Sequence, residues 1–236
     1  MIPRTFSSMS ATSSTTSPTS LTLVLGDRQL SSWSLRPWIL LKHLGLAFQE
    51  VRLPLDTPDF ERRVGMYSPT RRVPVLIDGS LTIWDSLAIC EYANELAQGL
   101  GWPEAPAERA HARAISAEMH SGFAALRTQW PMQAASTLQV DLDASGRADV
   151  ARIDTLWQAA LKQHTAAGPW LFGRYSIADA MYAPVVLRFN TYAADLSPQA
   201  RAYVATTMAD PCLTEWVAGA QEERSLAPLS KAGRTP

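Results

Sequence analysis

The chain has 236 residues, of which 47% are hydrophobic, so it is long enough to bury a large core in one or two domains. Its formal net charge of -1 gives no overall field that would attract nucleic acid or an anionic membrane surface. The two cysteines, Cys90 and Cys212, lie outside any disulfide-framework or metal-ligand spacing, and no apolar run approaches the roughly eighteen residues that cross a bilayer. We therefore expect a soluble cytoplasmic protein without a metal site and with no nucleic-acid or membrane partner.

Residues 1–20 are dominated by Ser and Thr and lack the apolar stretch of a secretory signal. We predict a disordered tail at 1–20 and a second tail at 226–236. The first apolar run, Leu21–Leu25, follows the first tail directly and predicts a strand.

The stretch Ser-Ser-Trp-Ser-Leu-Arg-Pro-Trp at 31–38 opens a segment with apolar residues at helical spacing, which ends near Gly45. Hydroxyls just ahead of a helix lie beside backbone N–H groups without intrahelical partners and at the positive end of the helix dipole, where an anion can be held. The alternative is structural: Ser32 or Ser34 caps the helix, with Pro37 in its first turn.

Three more strands and two more helices are predicted before residue 98, and Asp78-Gly79 forms a two-residue hairpin turn between the last two strands. The approximate bounds are 48–53 and 81–84 for two of the strands and 59–66 and 85–97 for the helices, and the stretch 68–77 leads into the remaining strand. The resulting order, βαβαββα over residues 21–97, is that of the thioredoxin-like fold.

Residues 98–106 contain two Gly and two Pro and are predicted to be a linker between domains. Beyond it no segment alternates like a strand, so we predict an all-helical second domain over 107–225. Its helical patterns cover 107–135, 148–167, 177–194, 198–208 and 213–223.

The second domain contains Ser176-Ile-Ala-Asp179 ahead of an apolar helix, which is the pattern of a capping box. We interpret this box as structural, with Asp179 buried at the start of a central helix. Loss of such a cap costs on the order of 1 kcal/mol.

Two short motifs lie near the serine loop in the predicted sheet. Val73-Pro74 heads a strand, where a proline in a thioredoxin-like sheet is commonly cis and exposes the preceding backbone N–H and C=O to a peptide-like ligand; the alternative is a trans proline that lacks only an unneeded donor. Asp85-Ser86 starts a helix, where Ser86 and backbone N–H groups can take a carboxylate and Asp85 an ammonium, or where the pair is simply a cap. With Ser31 these motifs make three points along one sheet edge that suit an extended tripeptide.

These residues resemble those of the cytosolic glutathione transferases, and the Ser-Ser-x-Ser-x-Arg loop is similar to that of the zeta class, whose members include maleylacetoacetate isomerases. The likeness covers about residues 21–225 and rests on four motifs in order: the serine loop, Arg72-Val73-Pro74, Asp85-Ser86-Leu-Ala-Ile89, and the Ser176 box with the following Pro184. It implies a thioredoxin-like domain followed by an all-helical domain. It also implies a homodimer in which the first domain of one subunit packs on the helical domain of the other.

The resemblance implies that Ser31 donates a hydrogen bond to the sulfur of bound glutathione, with Ser32 as the second candidate. It implies that the Val73 backbone pairs with the cysteinyl residue and that Asp85 and Ser86 hold the γ-glutamyl end, while Arg72 is a partner for a glutathione carboxylate. The predicted glutathione-binding residues are therefore Trp33, Arg72, Val73, Pro74, Asp85 and Ser86.

The energetics of thiol activation are consistent with a serine. Lowering a thiol pKa of about 8.5 by two units corresponds to about 2.7 kcal/mol in favour of the thiolate. One charge-assisted hydrogen bond contributes roughly 1.5–3 kcal/mol. The absence of a cysteine at this place, where glutaredoxin-like relatives have one, argues against disulfide chemistry.

The sequence departs from the zeta pattern at two places. Trp33 replaces a cysteine and narrows the mouth of the site, and the isomerases' substrate-binding arginine aligns with Thr191, with Arg188 about one turn away. The leading interpretation is a transferase that activates glutathione for attack on a small electrophile. A glutathione-dependent cis–trans isomerase of a dicarboxylate and a non-catalytic binding module remain alternatives.

Four further residues of the helical half are candidates for the electrophile pocket, with solvated or core positions as the alternative. They are His111, Arg113, His120 and Trp130.

Overall fold

The computed structural model describes residues 21–226. The predicted tails at 1–20 and 226–236 lie outside the described residues, except that Leu226 ends the last helix. The sheet has four strands in the order β2-β1-β3-β4. Their bounds are Leu21–Leu25 for β1, Phe48–Arg52 for β2, Val75–Asp78 for β3 and Leu81–Ile83 for β4.

Strand β1 is parallel to β2 and antiparallel to β3, which is antiparallel to β4. Alternate residues of β1 face opposite sides of the sheet. Leu23 and Leu25 belong to the large core, whereas Val24 packs with Val75 in a smaller cluster on the other side. Both faces of this sheet are therefore covered, as its apolar sequence predicts.

Nine helices follow or interrupt these strands within residues 21–226. In the first domain they are α1 Ser32–His43, α2 Pro58–Arg63 and α3 Ser86–Leu96. In the second domain they are α4 Pro106–Ser121, α5 Ala124–Gln129, α6 Ala144–His164, α7 Ile177–Thr191, α8 Pro198–Met208 and α9 Pro211–Leu226. The predicted thioredoxin-like domain and the following helical domain are confirmed. None of these helices combines the length and apolarity needed to span a membrane.

The strand predicted at the end of the stretch 68–77, with Val73-Pro74 at its head, is confirmed and begins at Val75. One predicted element is wrong in its bounds. The helix predicted over 107–135 is broken at Gly122 and Phe123, because Phe123 has a φ of 58° and a Cβ on Gly122 would lie 2.8 Å from the Glu118 carbonyl oxygen. This break directs α5 away from the line of α4.

Helix α7 is buried along nearly all of its length and packs against α1 and α4. The predicted capping box is present at its start, where Asp179 Oδ2 accepts from Ser176 N at 2.9 Å and from Ser176 Oγ at 3.0 Å. Asp179 Oδ1 also accepts from Leu171 N and from the Tyr203 hydroxyl, both at 3.0 Å. The box is thus the centre of a larger buried network than the sequence pattern predicts.

Arg28 fixes the two domains together beside the first helix. Its guanidinium donates to both carboxylate oxygens of Glu50 at 3.0 Å and lies 5.2 Å from the Trp38 ring and 5.6 Å from the Trp216 ring. Trp216, on α9, donates from Nε1 to the Arg28 carbonyl oxygen at 2.8 Å. The loop that leads into α1 is therefore held against the helical domain.

Candidate active site

The serine loop lies at the N-terminus of α1 and is nearly closed to solvent. Ser31 is 5% exposed, and its hydroxyl donates to Ser34 Oγ at 2.7 Å, which also accepts from Gly26 N at 3.1 Å. Ser31 occupies the N-cap position, yet its side chain makes no capping hydrogen bond. Because α1 begins at Ser32, neither Ser32 nor Ser34 is its N-cap, and Pro37 lies in the second turn rather than the first. The capping alternative for this loop is therefore wrong.

The Val73-Pro74 bond is cis, and Pro74 is buried while Val73 is partly exposed. Val75 lies opposite Val24 in the sheet, so the start of β3 is beside the end of β1, where the chain enters the serine loop. The topology thus brings Val73 to the same edge as Ser31. Arg72 is exposed, and its backbone N–H donates to Ser68 Oγ at 3.1 Å.

Asp85 and Ser86 lie at the N-terminus of α3, after a Trp84-Asp85 bond that is also cis. Asp85 is the N-cap of α3, because its Oδ1 accepts from Leu87 N at 3.0 Å and from Ala88 N at 3.4 Å. Its Oδ2 contacts His120 Nε2 at 3.1 Å. Ser86 is fully buried, and its hydroxyl has no hydrogen-bond partner among the described residues. The predicted cap is present at Asp85, and the Ser86 hydroxyl takes no part in it.

Side chains from α1, α4 and α5 contact one another at the Trp33 ring. The guanidinium carbon of Arg36 lies 4.1 Å from the centre of the Trp33 ring, and that of Arg127 lies 5.1 Å from it. The His120 ring approaches the Trp33 ring edge-on, with 5.3 Å between the ring centres. Through the contact between His120 and Asp85, this cluster joins the start of α3 to the end of α4.

Three arginines concentrate positive charge behind Trp33. Burial, together with the nearby Arg127 and Arg188, lowers the pKa of Arg36 to about 9. Burial and the charge of Arg127 likewise lower the pKa of Arg188 to about 10. The pKa values of Arg36 and Arg188 lie above neutral pH, so both groups are protonated there. Burial also lowers the pKa of Arg127, against the charge of Asp149, which raises it. These arginines therefore place positive charge beside Trp33, and the charge of Asp85 partly offsets it at Arg36.

Unpartnered buried polar atoms are concentrated around this cleft. Across residues 21–226, nine buried side-chain nitrogen or oxygen atoms have no hydrogen-bond partner, and four of them lie here: Arg36 Nε, Arg36 Nη1, Ser86 Oγ and His120 Nδ1. Buried polar groups in folded proteins are normally paired. Donors and acceptors gathered without partners around one cleft indicate a polar ligand.

Comparisons with known proteins identify the family. A model of the glutathione S-transferase N-terminal domain matches residues 30–96, and a model of the glutathione S-transferase C-terminal domain matches residues 108–219. The chain belongs to the glutathione S-transferase family. The predicted family and fold are thereby confirmed, and the predicted transferase activity is the one that gives the family its name.

Among similar curated proteins, a probable maleylacetoacetate isomerase of Caenorhabditis elegans is 29% identical over 174 residues, which cover 72% of this chain and 79% of that protein. A dichloromethane dehalogenase of Methylorubrum extorquens is 38% identical over 60 residues, which cover 25% of this chain and 21% of that protein. The first match extends across both domains of the transferase, whereas the second is local.

Two solved transferase structures share the fold. A glutathione transferase homologue from Burkholderia, solved with bound glutathione, has a TM-score of 0.65 and 24% identity and covers 86% of this chain and 98% of its own. A theta class glutathione S-transferase from Xanthomonas axonopodis, also solved with glutathione, has a TM-score of 0.59 and 24% identity and covers 84% of this chain and 97% of its own. At these identities the likeness shows the fold.

Of the four candidates for the electrophile pocket of this transferase, the structure places His120 in the cleft. His111 contacts the edge of the Phe172 ring, and Arg113 lies over the Trp102 ring and pairs with Glu91 at 3.7 Å. The fourth candidate, Trp130, stacks on a tyrosine and donates from Nε1 to a backbone oxygen at 2.8 Å. These last three positions correspond to the packing or solvated alternative.

Sequence reasoning missed Arg127 and gave Arg36 no role beyond its place in the motif. The spacing from Trp33 to Arg36 is one turn of a helix, which indicates that the two side chains share a face. Arg127 reaches the same ring because of the break at Gly122, whose carbonyl oxygen accepts from Arg127 Nη2. A left-handed residue such as Phe123 gives no signal in the sequence, so this approach was not predictable.

The other end of α1 carries a second group of titratable residues. His43, Asp210 and Cys212 place a ligand atom each within 4.8 Å of one another. Asp210 Oδ1 accepts from Cys212 N and Leu213 N, both at 3.0 Å, and contacts His43 Nε2 at 3.2 Å. Asp210 therefore caps α9 and links it to α1, which is a structural role.

Proposed function

We propose that this transferase binds glutathione along the edge that runs from Val73 to Ser86 and activates its thiol with Ser31, with Ser32 as the second candidate. The observation that supports this role is the Ser31 hydroxyl, which lies at the N-terminus of α1 without capping the helix. Its proton is directed to Ser34 Oγ, and rotation about the Cα–Cβ bond redirects it to a sulfur placed at the helix N-terminus. The serine then donates to the thiolate and is not itself the nucleophile.

The free energy needed to stabilise the thiolate of glutathione is within the range that a serine at a helix N-terminus can supply. A free thiol is about 3% ionised at pH 7, and a pKa lower by two units makes the thiolate the main form. One charge-assisted hydrogen bond gives roughly 1.5–3 kcal/mol, and a helix N-terminus adds about 0.3–1 kcal/mol. The buried positive charge of Arg36 acts in the same direction.

The other proposed contacts with glutathione follow from the order of residues along the edge from Val73 to Ser86. An extended tripeptide places its cysteinyl residue beside the Val73 backbone, and its γ-glutamyl carboxylate at the N-terminus of α3, where the Ser86 hydroxyl lacks a partner. Asp85 uses Oδ1 to cap α3 and retains Oδ2, shared with His120, for the ammonium group. Arg72 is exposed and suits a carboxylate at the edge of the site. Trp33 and Pro74 form the remaining sides of the proposed glutathione site.

The test is the pH dependence of turnover with a generic aryl halide acceptor in wild type, Ser31→Ala, Ser32→Ala and a control, Ser225→Ala. Ser225 is exposed near the end of α9, and its hydroxyl bonds only the Glu222 carbonyl. We expect the thiol-activating serine to lower kcat/KM about 100-fold near pH 6.5, two units below the free thiol's pKa, and by much less near pH 9. The control keeps wild-type activity. Full activity of both Ser31→Ala and Ser32→Ala near pH 6.5 would refute the role.

A second candidate function is glutathione-dependent cis–trans isomerisation of a dicarboxylate. Its support is the match over most of the chain to a protein named as a probable maleylacetoacetate isomerase, together with the positive charge behind Trp33. A maleyl-type diacid incubated with glutathione and high enzyme concentrations tests it. Absence of conversion removes this candidate and leaves the transferase.

Calorimetry with glutathione separates both enzymes from a non-catalytic module for other partners, because only the enzymes require glutathione to bind. We also expect a cytoplasmic homodimer. Met66 is 68% exposed and Trp84 is 46% exposed, both on the first domain, which suits a surface that another subunit covers. Light scattering during size-exclusion chromatography tests the dimer, and a monomer at micromolar concentration would contradict it.

A further inference from the structure

The guanidinium of Arg36 is buried without a counter-ion. The residue is 1% exposed, and its Nε and Nη1 have no hydrogen-bond partner in the described part of the chain. The Trp33 ring lies 4.1 Å away. Burial and two more cations, Arg127 and Arg188, lower the pKa of Arg36, while the charges of Cys90 and Asp85 raise it without pairing with it. No carboxylate within residues 21–226 forms an ion pair with it.

This arrangement is unfavourable for folding alone. A buried charge without a partner is strongly unfavourable, and each unpaired buried donor adds to that cost. The same chain gives another buried arginine a counter-ion, since Arg28 donates to both Glu50 oxygens at 3.0 Å, although its Nε has no partner. Strongly perturbed charges of this kind cluster at functional sites.

The shape of the group indicates what neutralises it. A guanidinium presents a planar fork of N–H donors that matches the two oxygens of a carboxylate. Arg127 supplies a second cation against the same Trp33 ring at 5.1 Å, and both Arg127 and Trp33 are partly exposed. Arg127 and Trp33 therefore form the solvent-facing side of the cluster, and the unpaired Arg36 nitrogens lie on its buried side.

We propose that Arg36 and Arg127 form a carboxylate-binding subsite against Trp33, with Arg188 adding positive charge from α7. The inference depends on the proposed function, because it places the subsite beside the bound thiol and names the chemistry recognised there. A carboxylate in the cleft has two sources, the glutathione tripeptide or the second substrate. The ligand pairs with the donors that the protein itself leaves without partners.

Direct binding tests the subsite. Calorimetry of the full chain with succinate measures the affinity of wild type, Arg36→Met, Arg127→Met and a matched control, Arg152→Met, whose guanidinium pairs with Glu118 on an exposed face. We expect both subsite variants to bind succinate at least tenfold more weakly, and the control to bind it as wild type does. Equal affinity in all four proteins, or no binding to wild type, overturns the proposal.

Turnover identifies the source of the carboxylate. The probes are 4-chloro-3-nitrobenzoate and its methyl ester, each used with glutathione. If the second substrate supplies the carboxylate, Arg36→Met lowers the ratio of acid to ester kcat/KM at least tenfold and leaves the KM for glutathione unchanged. If glutathione supplies it, the KM for glutathione rises equally with both acceptors. A variant that changes neither quantity contradicts the subsite.

Variants of Arg36 and Arg127 separate the effect of the charge from that of the guanidinium shape and from a failure to fold. Arg36→Lys retains the charge but loses the fork, so we expect affinity for succinate between that of wild type and that of Arg36→Met. Arg127 lies on the half-buried α5, so its variant tests the subsite even if Arg36→Met does not fold. Because succinate has no thiol, its binding reports on the arginines independently of the serine variants, whose failure to affect turnover would refute only the thiol-activating role.

Discussion

Two buried polar groups in this transferase differ in how many hydrogen-bond partners they have. Asp179, at the start of α7, is fully buried and accepts four hydrogen bonds, two on each oxygen. Arg36, on α1, is equally buried, and two of its three nitrogens have no partner among the described residues. The first group stabilises the helical domain, whereas the second is held ready for a ligand. The two groups therefore differ in their hydrogen-bond partners and not in their burial.

Removal of the paired group gives the largest expected effect. Asp179→Ala leaves four buried donors without an acceptor, each at a cost of about 1–3 kcal/mol, so we expect the free energy of unfolding to fall by at least about 3 kcal/mol. Urea denaturation measures it, with the exposed Asp195→Ala as the control, for which we expect less than about 0.5 kcal/mol. A loss of only about 1 kcal/mol would mean that Asp179 is a helix cap and no more.

The same carboxylate makes stability depend on pH. Burial raises the pKa of Asp179 from 3.8 to about 6 in the folded state, despite the four hydrogen bonds. The folded protein then holds this proton more tightly than the unfolded chain, so the contribution is complete below about pH 4 and is lost as the pH rises through 6, by up to about 3 kcal/mol. Urea midpoints of wild type and Asp179→Asn across this range measure it. A constant difference between the two proteins would show that Asp179 does not titrate there.

The stabilities of variants of Arg28, which has a counter-ion, and Arg36, which has none, make the comparison between two residues of the same type. Arg28→Met removes the closest cation from Glu50, which keeps Trp38 Nε1 at 2.6 Å and Arg52 Nε at 3.7 Å, and we expect a loss of about 2 kcal/mol in the free energy of unfolding. Arg36→Met removes a buried charge that has no counter-ion, so we expect stability to be unchanged or raised by about 1 kcal/mol. Thermal unfolding at low ionic strength compares them. Equal destabilisation of the two variants would show that Arg36 is a structural group.

The smallest expected effect on folding is at Ser86, whose hydroxyl has no partner in the described chain. We expect Ser86→Ala to leave the free energy of unfolding within about 0.5 kcal/mol of wild type and to weaken glutathione binding about tenfold, by the loss of one hydrogen bond to a charged group. Ser116→Ala is the matched control, because this hydroxyl is also buried and unpartnered but belongs to α4. If both serines affect glutathione affinity alike, the assignment of Ser86 is wrong.

The parts of this structure that depend on local spacing were predictable. Ser176 and Asp179 three residues apart predicted the capping box, and Asp78-Gly79 predicted the hairpin between β3 and β4. The size of the Asp179 network was not predictable, because Leu171 and Tyr203 approach from elements outside the box. The sequence pattern therefore suggested about 1 kcal/mol for a group that the structure places at the centre of four bonds.

The candidate site also has one part that the sequence predicted and one part that it did not. The serine loop, the Val73-Pro74 corner and the Asp85-Ser86 pair were found from order and spacing, and the sheet brings the first two to one edge. The charge behind Trp33 was missed, since Arg127 reaches it only through the left-handed conformation of Phe123. The roles of these residues toward glutathione stay predictions.

The most direct measurement of the central claim is the pKa of the thiol of glutathione bound to the transferase. Titration of the ultraviolet absorbance of the thiolate gives this value for the complexes with wild type and Ser31→Ala. We expect a pKa of about 6.5 in wild type and a value close to that of the free thiol, about 8.5, in the variant. Bound glutathione that titrates near 8.5 in wild type would contradict the account.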